Sequence, residues 1–156
     1  MRNSDDIGKA IEMEAIRATE TWQHAGVYYV RTESMVNGFD IPLKGEFDAD
    51  TPDSRYILVL DGVHPVGTCR IHFIPEEKIA KIERVAVIET YRKKGVGRLA
   101  ITAAEEWIRE EGYKKIVITS RDEAVGFYQA LGYTADFGKT ETGGVFTTVY
   151  TEKILA

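Results

Sequence analysis

One cysteine, four prolines and no long apolar run are the chain's scarcities, and each removes a class of protein. Cys69, alone, cannot form an intramolecular disulfide and suits a reducing cytoplasm. No apolar stretch approaches the roughly 20 residues that a membrane helix needs, so no membrane partner is expected. Met1 to Ala10 is too polar for a signal peptide. Positive charge is also short: Lys+Arg total 20 against 25 Asp+Glu, for a net charge of −5. That balance, with no basic patch interleaved with aromatics, excludes a general nucleic-acid binder. No His, Cys, Asp and Glu residues stand at metal-ligand spacing, so no metal is expected. Repeats, domain-type linkers and low-complexity tracts are absent as well.

What remains is an ordinary soluble balance, 44% hydrophobic and 29% charged over 156 residues. It predicts a single domain with a sizeable core. The core is expected over residues 12–154, with 1–9 frayed or accessory. Glu12 to Ala18 alternates as a first strand. Thr19 or Thr21 can cap a helix from near Trp22 that carries Trp22, Ala25 and Tyr29 as a core stripe and ends at Asn37-Gly38. Val27 to Val30 also reads as strand. Phe39 to Ser54 holds no lasting period. Arg55 to Leu60 is a strand, Asp61-Gly62 a hairpin turn, and Val66 to Phe73 its partner. Pro75-Glu76-Glu77 turns the chain into a central strand, Lys78 to Ile88. Lys115 to Ser120 is a second buried strand, and Tyr133 to Phe137 with Val145 to Ile154 closes the chain as an antiparallel pair. Val145 to Tyr150 is apolar enough to pair across a homodimer.

The stretch that organises the rest runs from Ile82 through Val87, across Glu89 to Lys94, into Gly95-Val96-Gly97-Arg98 and a helix. Val96, Leu99/Ala100, Ala103 and Trp107 give that helix one apolar face, and Gly112 ends it. A glycine turn feeding a helix N-terminus aims free N–H groups and the positive end of the dipole at one spot. Arg92, Lys93, Lys94 and Arg98 add charge, so the spot suits phosphate. A Walker loop needs Gly-Lys-Ser/Thr, which Gly97-Arg98-Leu99 does not supply. The spacing Gly95-x-Gly97-x-x-Ala100 matches a dinucleotide fingerprint, but six polar or charged residues separate it from the strand. A plain strand–turn–helix is the remaining alternative.

Arg92-x-x-Gly95-x-Gly97 resembles the pyrophosphate loop of the GNAT (Gcn5-related) N-acetyltransferases. Ala124-x-x-Phe127-Tyr128-x-x-Leu131-Gly132-Tyr133 resembles the same family's later helix and turn. Together the two motifs and the central strand span about a third of the chain. The resemblance implies a mixed α/β (α+β) fold with a mostly antiparallel central sheet flanked by helices. It implies acetyl-CoA as co-substrate, with its diphosphate on Arg92, Lys93, Lys94, Gly95, Val96, Gly97 and Arg98. It places the pantetheine arm on backbone groups of Val85, Ala86 and Val87. Arg121 departs from the pattern, where many members carry asparagine.

Acetyl transfer to an amine needs a neutral amine and a protonated leaving thiol. Tyr128 stands where the family often places a tyrosine near the coenzyme sulfur, and a phenol with pKa ≈ 10 can serve as the acid. The neighbouring Phe127 is expected in the core, leaving Tyr128 on a cleft. Glu83 is the candidate base, directly or through water; a strand carboxylate paired with Arg70 or Arg84 is the competing reading, and His72 is a further relay candidate. Cys69 has no partner pattern for a nucleophile. Glu46 and Asp48, in the acidic Phe39–Ser54 stretch, are candidate binders of a cationic primary amine, whether small molecule or peptide. A non-catalytic acyl-CoA sensor would carry the same pocket without turnover.

Overall fold

The computed structural model describes residues 13–156; the expectation of a frayed or accessory segment at 1–9 lies outside them. Seven strands form one sheet: β1 (Glu14–Arg17), β2 (Arg55–Asp61), β3 (His64–Ile74), β4 (Ile79–Val87), β5 (Lys115–Arg121), β6 (Thr134–Glu141) and β7 (Thr148–Ile154). Their hydrogen-bonded order is β1-β2-β3-β4-β5-β7-β6. β4 and β5 pair in parallel; β1–β2, β2–β3, β5–β7 and β6–β7 are antiparallel. The helices are α1 (Thr21–Arg31), continued by a π-helical segment (Thr32–Asn37), α2 (Leu43–Phe47), α3 (Val96–Glu110) and α4 (Val125–Ala130). No described helix is long and apolar enough to cross a membrane.

The chain forms two compact units, one comprising residues up to Ile71 with Arg84–Ala104, the other His72–Glu83 with Glu105–Ala156. The first is built on β1, β2 and the start of β3. Its core includes Ala18, Val27, Tyr56, Leu58 and Leu60. The helical stretch through Asn37 appears as expected, but Glu20, not Thr19 or Thr21, caps it, through a capping box with Gln23. Its buried face is Gln23, Gly26, Val27, Val30 and Arg31. Trp22 and Tyr29, read as core, are 54% and 51% exposed. Gly26 explains the rotation: a Cβ there would lie 3.0 Å from Leu58, so α1 approaches β2 on its small residue and turns its aromatics outward. The hairpin turn is Gly62-Val63, one residue later than expected, because Asp61 pairs with His64 and Gly62 takes φ +62°.

The second unit holds β5, β7 and β6. Every position of β5 from Lys115 to Arg121 pairs with β7, and β7 also pairs with β6 from Thr134↔Glu152 to Glu141↔Thr148. Both edges of β7 are therefore occupied within the sheet, and β6 is the edge strand. On α3 the buried row is Val96, Ala100, Ala104 and Ile108, with Ile101. Leu99, Ala103 and Trp107, placed on the buried face by the sequence, are half-buried beside it. The apolar stripe is wider than one row of side chains, and the i, i+4 row takes its centre. Gly112 ends the helix at φ +89°, and the Tyr113 N–H bonds back to Ile108.

Candidate active site

The loop before α3 is shaped by alternating backbone hands. Arg92 is extended, Lys93 has φ +63° and Gly95 φ +86°. The first helical bond is from the Leu99 N–H to the Gly95 carbonyl, 3.0 Å. The N–H groups of Val96, Gly97 and Arg98 therefore precede the helix's ladder and point out of its positive end. Arg92, Lys93, Lys94 and Arg98 are exposed around them. Lys94 lies over the Tyr91 ring at 5.4 Å, and the Tyr91 hydroxyl donates to Asp61 at 2.6 Å, which ties the loop's approach to the end of β2. This donor set fits a diphosphate: converging amides with cations at the rim.

Gly67 seats the helix, and the sequence reading missed it. A Cβ at Gly67 would come 2.3 Å from Cγ1 of Val96, the first residue of α3. An unbranched glycine on β3 thus lets the helix start against the strand. The signal available was a glycine inside an otherwise apolar strand, which marks a close backbone approach. Ile88, beyond the end of β4, donates its N–H to Val66 at 2.9 Å and fixes the strand's exit beside that glycine.

The register of β4 with β5 runs from Ile79↔Lys115 to Lys81↔Val117. Val85, Ala86 and Val87 lie further along β4. Between them and Glu83 stands Arg84 at φ +52°. That left-handed residue interrupts the pleat of β4. Glu83 Oε1 is 3.6 Å from His72 Nδ1, the Glu83 side chain 33% and the His72 side chain 60% exposed. Arg70 reaches Asp50 at 2.7 Å.

Tyr128 and Phe127 exchange the places expected of them. Tyr128 is 6% exposed and Phe127 40%. On the short α4, Val125 and Tyr128 share the buried side, and the Tyr128 ring packs edge-on against Phe127 and Tyr133, with centroids 5.0 and 5.9 Å away. Arg121 ends β5 with its guanidinium 3.4 Å from Glu123 and over the Phe146 ring at 4.9 Å. Cys69 is buried, and burial pushes its thiol up to about 12 despite an opposing backbone hydrogen bond from Ile57.

The acidic stretch is not an open loop. Glu46 lies on α2, buried, accepting from Arg31 Nε at 2.9 Å. Arg31, itself fully buried, also grips Asp50 at 2.6 and 2.9 Å and the Glu46 carbonyl at 2.7 Å, under the Phe47 ring at 4.3 Å. Asp50 further accepts from Arg70 and Tyr56. Burial alone would raise the Asp50 carboxyl, but the hydrogen bonds of Arg31 and Tyr56 and the charges of Arg31 and Arg70 hold it below the usual carboxylate range. Glu46 is thus a structural ion-pair member rather than a solvent-facing lure for cations; Asp48 and Asp53 stay exposed.

A family model for the GNAT acetyltransferases matches residues 11–133. The chain belongs to this family. An uncharacterized N-acetyltransferase of Bacillus subtilis, YjcF, is 31% identical over 121 residues, covering 78% of this GNAT chain and 85% of its own. The crystal structure of a candidate N-acetyltransferase from Lactobacillus plantarum superposes with TM-score 0.84 at 28% identity, over 92% of this chain and 99% of that one. PaiA N-acetyltransferase from Thermoplasma acidophilum, solved with coenzyme A, shares the fold at TM-score 0.69 and 14% identity, over 91% of this chain and 98% of its own. The mixed, mostly antiparallel sheet of this GNAT domain is the one its motifs implied.

Proposed function

We propose that this acetyltransferase moves an acetyl group from acetyl-CoA to a primary amine by direct attack while both are bound. The observation that carries the reading is the run of N–H groups on Val96, Gly97 and Arg98 ahead of the first α3 hydrogen bond, ringed by Arg92, Lys93 and Lys94. Acetyl-CoA, when bound, supplies an activated acyl group and a thiol as leaving group. The loop holds its diphosphate. Backbone groups of Val85, Ala86 and Val87 pair with the uncharged arm and orient the acyl carbonyl. Glu83 takes the proton that a lysine-like ammonium, pKa ≈ 10.4, must lose before attack. His72, beside it, is the next acceptor in line. Tyr128 gives a proton to the departing sulfur. Asp48 remains the exposed acid offered to a cationic amine.

Thermal denaturation with coenzyme A tests the donor site. At 100 times its Kd a ligand adds about 2.7 kcal/mol, which for a domain of this size raises Tm by roughly 5–10 °C. Gly97→Glu sets a carboxylate against the phosphates and removes the shift. A shift with NAD and none with coenzyme A overturns the reading. Binding without thiol release across a broad amine panel leaves an acyl-CoA sensor.

A further inference from the structure

Among the described residues, four other than glycine have left-handed backbones: Asp40, Lys78, Arg84 and Lys93. Asp40 follows a helical segment, Lys78 closes the turn Pro75–Glu77, and Lys93 belongs to the phosphate loop. Arg84 alone among them lies inside a strand, β4, at φ +52°. Glycine takes that conformation without steric cost and asparagine tolerates it. A long cationic side chain gains nothing from the backbone there, so the backbone does not explain arginine. Packing does not explain it either. Arg84 is exposed, and its side chain makes no hydrogen bond, ion pair or ring contact among the described residues. Other arginines of the same unit are engaged: Arg31 with Glu46 and Asp50, Arg70 with Asp50.

We propose that Arg84 reads an anionic group on the acceptor, a carboxylate borne by the same small molecule as the amine; this rests on the acetyl-transfer reading above. The donor's charge does not account for Arg84. The phosphates belong to the loop from Arg92 to Arg98, and the arm laid on Val85 to Val87 is uncharged. Arg84 precedes that run, on the side away from the loop, and the three residue steps from Arg84 to Val87 span roughly 10 Å at about 3.3 Å each. An anion reaching Arg84 therefore comes with the other substrate. Guanidinium and carboxylate match as a two-point fork. Glu83, the next residue back along β4, is the proposed base. The acceptor class is thus an amino acid or a related amino-carboxylate, zwitterionic overall.

The test compares common L-amino acids with their carboxamides, which keep shape and amine but lose the anion. 2-Aminoethylphosphonate against β-alanine separates phosphonate from carboxylate. Wild type favours the acids by about 10-fold or more in kcat/KM, the scale of one charge-assisted pair. Arg84→Gly, which suits the backbone, raises KM for the acids about 10- to 100-fold and erases the preference, while KM for acetyl-CoA holds; Arg84→Lys keeps part of it. Carboxamides that react as well as acids, or a preference that survives Arg84→Gly, overturn the proposal. Should no amine turn over, the same acids are titrated by thermal shift with coenzyme A present. A shift in wild type that Arg84→Gly loses keeps the anion site and discards acetyl transfer; no shift in either discards the anion site. The coenzyme A shift alone shows that each variant is folded.

Discussion

At Cys69 burial decides the chemistry. A thiol held at about 12 ionises to about one part in ten thousand at pH 8, and only thiolate is nucleophilic. Iodoacetamide should label Cys69 in denaturant and not in the native protein, and Cys69→Ala should retain kcat. Tyr128 presents the opposite case, a buried ring with a proposed chemical role. Because Phe keeps the ring between Phe127 and Tyr133, Tyr128→Phe isolates the hydroxyl. We expect kcat to fall about 10²-fold with little change in KM for acetyl-CoA. Unchanged turnover from pH 6 to 9 would return Tyr128 to packing alone.

The elements set where those residues stand. Helix α3 starts where Gly67 permits, so Gly67→Ala pushes its Cβ into the stiff Val96 side chain. Overpacking of this kind costs about 1–3 kcal/mol, and a displaced helix start should weaken the coenzyme A shift as well as lower Tm. The end of α1, β2 and β3 are joined through Asp50. Its native carboxyl titrates below its unfolded value of ≈ 3.9, so near pH 4 the unfolded chain binds more protons than the native one. The associated stability is whole above that pH and is lost as acid carries the pH down through the native value. Wild-type Tm should hold from pH 7 to 5 and drop below about 4. Asp50→Asn should lose much of that acid limb and start lower, by about 3–5 kcal/mol, because Arg31 is left buried with less charge to meet it. The sequence could not show this cluster. Asp50 lies 19 residues from Arg31 and 20 from Arg70, so a local view sees a run of acids and none of their partners. The phosphate loop was legible for the converse reason: strand, turn, glycines and helix face are consecutive, and their chemistry is carried by backbone that local sequence dictates. Single-residue facing fared worst. Tyr128 against Phe127, and Trp22 against Gly26, depend on which side of a helix meets the sheet, which apolar spacing alone leaves open by one row.

Over the whole molecule, charge follows the same division. A net-acidic chain keeps exposed cations at the start of α3 and at Arg84, while Glu46 and Asp50 answer the buried Arg31. Family membership and the sheet make this an acetyltransferase domain, and one measurement bears most directly on the proposal that a coenzyme A thioester is its donor. Purified protein is incubated with acetyl-CoA and a panel of amines that includes amino acids, diamines and peptides; free thiol is followed with time and the products are weighed by mass spectrometry. The account predicts amine-dependent thiol release matched by an N-acetylated product, abolished in Gly97→Glu. Thiol release without an acetylated amine, or none with any amine while coenzyme A still raises Tm, would contradict it.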